Sequence, residues 1–366
     1  MVRSLPPSGA GLDTGALAQL FRRTTNSYKY LFFLAILTQL KSKQFRARIL
    51  DLDELTVEMT GLAWYPYEHF RLSFGIQDKI ADSLREYPVA EGSMPGRAIV
   101  RQKLRAQGPR MALDRLMRYV PYRLLTPFFE DELTGLSDSR KNRKISLLAD
   151  RNFDSRKPLY RLRKAGQLEV HPDWLSYLYK NFSLVEGWAN WAWVRYLTDR
   201  NPNVPNIANK VGSPAQRNNL NSARKLWEAA LERDTVRCPY SGYRLTGTHF
   251  ELDHFIPWRY VAHDHLWNLV AVIPEANQAK RDRIPAQLYV DGLIDSQFRL
   301  LKATKETMEN ESSWESRIAV HYLNGLRVTT SEELLNEVTL ADAYEATVGP
   351  MMAIAKQMGF SGGWHF

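Results

Sequence analysis

Apolar and polar positions alternate with a two-residue period over Thr248-His249-Phe250-Glu251-Leu252, the pattern of a half-buried strand, which delivers Asp253-His254 at its end. A loop through Pro257 and His263-Asp264-His265 separates it from Trp267–Ile273, an apolar run of strand length with Asn268 near its start. Pro274 suits the first turn of a helix, where its missing N–H costs little. Asn277, Lys280 and Arg281 then fall three and four residues apart on one helix face, and Pro285 stops the helix. The predicted order is strand, loop, strand, short helix.

Elsewhere the period is helical. Leu17 to Leu40 reads as one helix or two, interrupted at Arg22-Arg23 and Thr24 to Ser27, with Asn26 or Ser27 as a cap for Tyr28 to Lys43. Leu184 to Leu197 carries Trp188, Trp191 and Trp193 at the spacing of a helix packed on both sides. Leu159 to Val170, broken at Ala165-Gly166-Gln167, predicts a hairpin with Arg161 and Arg163 on one face. Residues 214–233 predict a polar helix; 293–308, 311–324 and 331–358 predict three more, the last split near Gly349-Pro350. Pro and Asn alternate from Asn201 to Asn206, which no helix survives. The expected fold is mainly α with a small α+β module: a helical, basic N-terminal domain over 1–205, the module with its lead-in helix over 206–290, and a helical tail over 291–366 packing on the module.

Charge sharpens this division. The chain of 366 residues carries a formal +9, yet residues 97–164 alone hold a net +11. Arg97, Arg101, Lys103, Arg105, Arg110, Arg115 and Arg118 lead to a dense knot, Arg140-Lys141-Asn142-Arg143-Lys144. A single charge run is usually a solvated helix face. Two clusters in one segment favour a polyanionic partner, and Arg140, Lys141, Arg143 and Lys144 are expected to bind DNA. One cysteine excludes an internal disulfide and fits a reducing compartment. The longest apolar run, Tyr30 to Leu40, is too short to span a bilayer, and no signal-peptide core is present, so a cytoplasmic protein without membrane insertion is expected.

The module carries the candidate chemistry. Asp253 and Asn277 offer hard oxygen ligands that suit Mg²⁺ (or Mn²⁺) and leave room for water and a phosphate oxygen. His254 supplies an imidazole beside that ligand, a group that can take a proton from water. Glu275 is a rival ligand, but it and Asn277 point about 200° apart on a helix, and Asn277 is preferred. Lys280, Arg281 and Arg283 on the helix, and Arg259 in the loop, are candidate nucleic-acid contacts.

Asp-His, then Asn, then Asn followed by Lys resembles the HNH nucleases with their ββα-metal fold, with spacing most like the HNH module of the CRISPR RNA-guided nucleases; the likeness covers about 50 of 366 residues. It implies Asp253 and Asn277 as metal ligands, His254 as general base, Asn268 as the brace of the loop, and Lys280 facing phosphate. It also implies products with 5′-phosphate and 3′-hydroxyl ends. Many such proteins hold a structural zinc with two Cys-x-x-Cys pairs. Here Ser241 stands where the partner of Cys238 would be, and Ile273 and Ala276 occupy the second pair, so no zinc is expected. His263 and His265 are read as solvated loop residues.

The resemblance implies a metal-dependent DNA endonuclease or nickase, acting on double-stranded DNA with little sequence discrimination, since phosphate contacts position without specifying. A large accessory domain resembles effectors of bacterial anti-phage defence, including the HNH component of Zorya-type systems, with partner proteins of that system. Alternatives are a restriction- or homing-type enzyme, a structured-RNA nuclease and a catalytically silent nucleic-acid-binding protein.

Overall fold

The computed structural model describes residues 6–9, 11–85, 97–107, 117–164, 166–212, 219–308 and 310–366. Arg110, Arg115, the side chain of Arg97 and the first residues of the helix expected from 214 lie outside that set. Two compact units emerge, one of residues 1–202 with 207–213, the other of 203–206 with 214–366. Helices dominate both, and the strands of the described residues make two small sheets, so the protein is mainly α with a small α+β module. Among the described residues no helix is long and apolar enough to cross a membrane.

In the first unit, helix α1 (Tyr28–Ser42) begins at Ser27, and nearly every side chain from Tyr30 to Leu37 is buried. An all-round apolar helix belongs at a centre, and α2 (Leu52–Trp64) and the long Trp-bearing helix that ends this unit pack on it. Strand β1 (Ile49–Asp51) precedes α2, and the basic helix α3 (Asp138–Arg151) leads to the hairpin of β2 (Tyr160–Arg163) and β3 (Gln167–Val170). The three strands form an antiparallel sheet in the order β1-β3-β2. Helix α4 (Phe182–Arg200) buries Trp193 but leaves Trp191 54% exposed, so it packs on one side more than the other at that level.

Glu169 on β3 is 1% exposed and gathers three guanidiniums: Arg161 at 2.8 Å, Arg163 at 3.3 Å and Arg48 at 3.2 Å. Burial pushes its carboxyl up, and the hydrogen bond and charge of Arg161, then Arg163 and Arg48, more than offset this, leaving it below the usual glutamate range.

In the second unit, helix α5 (Asn221–Arg233) leads to β4 (Glu251–His254), β5 (Leu269–Val272) and helix α6 (Pro274–Lys280). The strands pair antiparallel, Asp253 opposite Val270 and His254 opposite Leu269. Strand β4 starts three residues later than the alternation predicts, because Gly247, with φ +57°, and Thr248 form a turn; Asp253 and His254 are inside the ladder rather than beyond it.

The chain after Pro285 shares the module's hydrophobic core through α7 (Val290–Thr307) and α8 (Glu337–Gln357). Gln297 donates to the carbonyls of Leu266 (3.2 Å) and Leu269 (2.7 Å), Tyr322 donates to Gln297 Oε1 (2.6 Å), and Tyr344 donates to the Trp267 carbonyl (2.9 Å). Helix α8 is not split: it runs through Pro350, held by the buried Val348 and Met352 on either side. The lost hydrogen bond is outweighed by that burial.

The Glu169 cluster makes a stability prediction. Its folded-state pKa is depressed, so its contribution is complete above the unfolded value of about 4.3 and is lost as pH falls through the folded one. Glu169→Gln should lower unfolding free energy by about 2 kcal/mol at neutral pH and show a smaller loss on acidification, measured by urea denaturation across pH.

Candidate active site

Asp253 and Glu251 are two residues apart on β4 and so share one strand face, which α6 covers. Asp253 is 5% exposed and held by two partners. Tyr240 donates to Oδ2 at 2.6 Å, and the Lys280 ammonium lies 3.1 Å from Oδ1 and 2.9 Å from Oδ2. Lys280 also donates to the His254 carbonyl at 2.8 Å. Burial, then the charge of Asp253, hold the Tyr240 hydroxyl well above the ordinary tyrosine range, so it remains a donor. Tyr240 is packed against Phe255 and Trp364. Lys280, expected against phosphate, is instead completely buried beneath the strand, because the helix face that carries it turns toward β4.

His254 is held from the loop: its Nε2 is 2.9 Å from Asp264 Oδ1, with both side chains nearly buried. A carboxylate is acceptor-only, so Nε2 carries a proton, and in the neutral ring Nδ1 keeps its lone pair. Asn268 fastens the start of the same loop. Its Oδ1 accepts from the Ile256 N–H at 2.8 Å, its Nδ2 donates to the Ile256 carbonyl at 2.9 Å, and its own carbonyl accepts from the Phe255 N–H at 2.9 Å. Farther along, Ala262 takes φ +52° to close the short helix Trp258–Val261.

Asn277 donates from Nδ2 to Glu251 Oε2 at 2.7 Å. Only a donor can face that carboxylate, so the amide is oriented and Oδ1 is the atom left over. Glu275 is exposed in the first turn of α6, away from this contact. Arg281 has left the helix, with φ +52°, and no longer shares a face with Asn277. Arg283 turns back onto the carbonyls of Ala279 and Lys280 and stacks over Trp364 at 5.8 Å, while Arg259 pairs with Asp282 at 3.3 Å.

His263 and His265 are packed rather than solvated. Their rings lie 4.2 Å apart, His263 leans on Trp267, and His321 meets His265 at 5.4 Å. Burial lowers the pKa of both His265 and His321. Cys238 is buried, and the Gly242 N–H donates to its carbonyl in a turn.

In the first unit the basic knot is divided by the helix period. Arg143 lines a groove between α3 and β2, whereas Arg140, Lys141 and Lys144 do not.

Among the described residues no group of three or more His, Cys, Asp or Glu could hold a metal ion. A cation would therefore rest on a mixed pair, Asp253 and Asn277, completed by water and phosphate. The donors fit a hard divalent ion: Asn277 keeps a free Oδ1, and Asp253 uses three of about four lone-pair sites. Tyr240, Glu251 and Asp264 escaped sequence reasoning. Glu251 alone had a local signal, its i−2 position on the strand of Asp253.

Residues 238–286 match the family model described as HNH endonuclease. No curated protein and no solved structure matches the chain.

The place of Lys280 has a direct test. Lys280→Met strips the only cation from a buried carboxylate and should destabilise the second unit by about 3 kcal/mol or more in thermal and denaturant unfolding. A phosphate-facing lysine would leave stability unchanged and weaken DNA binding alone.

Proposed function

We propose that the HNH endonuclease domain at residues 238–286, which makes this chain a nuclease and thus a phosphodiester hydrolase acting on nucleic acid, cuts double-stranded DNA with the help of Mg²⁺ or Mn²⁺. The observation that carries the reading is the pairing of His254 with Asp264 beside Asp253, with Asn277 held against Glu251 on the same strand by the helix that packs there. Nuclease activity and divalent-metal dependence are general to HNH enzymes; the DNA substrate, the residue roles and the biological setting are the proposal.

Asp253 and Asn277 would hold the cation. When bound, it stabilises charge on the phosphate and on the leaving 3′ oxygen. His254 takes the proton of the attacking water at Nδ1, and Asp264 at Nε2 fixes the tautomer and steadies the imidazolium. Water attacks phosphorus and the bond to the 3′ oxygen breaks; that oxygen takes a proton from solvent water to leave as a hydroxyl, and His254 returns its own proton to solvent. Lys280 and Tyr240 hold the Asp253 carboxylate in one rotamer; Glu251 does the same for the Asn277 amide. Asn268 acts through geometry, by fixing the backbone next to His254.

A module of this size has little surface for reading bases, so low sequence specificity follows. Such an enzyme needs restraint, which fits an effector of anti-phage defence carried beside a large accessory unit.

Supercoiled plasmid, linear duplex and RNA, each with and without Mg²⁺, form the test. Wild type should nick plasmid only with the metal, and His254→Ala should lower the rate by about 10²-fold or more while DNA binding persists. Asp264→Asn should cost less, because the imidazole remains while its orientation and tautomer are no longer fixed. Retained cleavage by His254→Ala would remove the general base, and discrete fragments would indicate a restriction or homing enzyme.

A further inference from the structure

The cations that a nuclease module would spend on phosphate are largely occupied here. Lys280 neutralises Asp253, Arg259 pairs with Asp282, and Arg283 is folded back on backbone carbonyls. Of the module's candidate contacts Arg281 stays exposed, so the module offers little positive charge, and the first unit supplies a richer site for a polyanion.

Helix α3 packs against β2, and between them lies a groove of about 1120 Å³. Arg118, Arg143, Arg161, Arg163 and Lys164 line it, against one acid, Asp150. Residues distant in sequence meet here: Arg118 precedes α3, Arg143 is on it, and the other three come from β2 and its turn. Arg118, Arg143, Arg163 and Lys164 are exposed, and no hydrogen bond or ion pair to another described residue engages the head groups of Arg118, Arg143 or Lys164.

The floor of the groove is prepared rather than accidental. Arg161 is gripped by the buried Glu169, approaches Asp150 at 3.3 Å and stacks over Phe153 at 4.1 Å. Arg163 is tied to the same Glu169 carboxylate. One buried carboxylate shared among three guanidiniums leaves surplus positive charge, already oriented, so little side-chain entropy is lost when an anion arrives.

We infer that this groove is the docking site for the phosphodiester backbone of duplex DNA, a surface separate from the HNH site. The inference rests on the nuclease reading for its choice of polyanion. Duplex is favoured over a splayed single strand because, among the described residues, Tyr122 is the only aromatic side chain in the lining, which offers no platform for stacking successive bases. The groove reads backbone and carries no sequence information.

Binding is measured with the full chain carrying His254→Ala, so that DNA is not consumed, on a short duplex across a salt series. Arg143→Glu with Lys164→Glu should weaken binding roughly tenfold or more and reduce the slope of log affinity against log salt by about two. Lys43→Glu with Lys180→Glu, an equal change of charge at exposed residues outside the groove, should change neither. The milder pair Arg143→Gln with Lys164→Gln guards against misfolding and should shift the slope in the same direction. Equal losses in groove and control variants, an unchanged slope, or stronger binding of single strand than duplex would each overturn the inference. With His254 intact, the groove pair should lose cleavage at low DNA and recover it at saturation. If wild type does not cut at all, the nuclease reading fails, and the binding series still judges the groove.

Discussion

The second unit depends on one buried ammonium. Lys280 reaches both oxygens of Asp253 and the carbonyl of His254, so a single side chain on α6 fixes the last two residues of β4. Charge in an apolar interior is tolerated only when paired and hydrogen-bonded, and a shift of the helix against the strand would break every one of these contacts. Asn268 clamps the next stretch of chain from the other direction through Ile256. Between them the backbone around His254 has little freedom. The tail completes the support, since Gln297 and Tyr344 take up carbonyls of the segment leading into β5. The helices of the tail thus share both the module's hydrogen bonds and its hydrophobic core.

Local order was readable because it is written in local signals. Period-two alternation, the apolar run after Trp267 and Pro274 at a helix start yield strand, loop, strand and helix without tertiary information. Partnerships were not readable, because they join residues far apart in sequence. Tyr240 meets Asp253 across 13 positions and Asn277 meets Glu251 across 26, and no spacing rule connects them. Lys280 illustrates the same limit. Its spacing from Asn277 establishes a shared helix face, but only packing decides whether that face looks at solvent or at the strand. Pro350 marks the converse, where a strong local breaker is overridden by the burial of its neighbours.

The charge run teaches a related lesson. Five residues in a row look like one patch, yet a helix spreads them around its axis, and only Asn142 and Arg143 turn into the groove beside β2. Its other cations arrive from a hairpin about twenty residues later in the chain and from Arg118 before it. Total charge could announce a polyanionic partner but could not locate where it binds.

The contact between Asn277 and Glu251 carries a consequence for how this protein can change over generations. A carboxylate at 277 would be a better cation ligand than an amide, yet it would be introduced against an acid already in place, two like charges at hydrogen-bond distance. That repulsion would be relieved by a change at 251, by a shared proton or by a cation between the two groups. Electrostatics thus ties what is tolerated at one of these positions to what stands at the other.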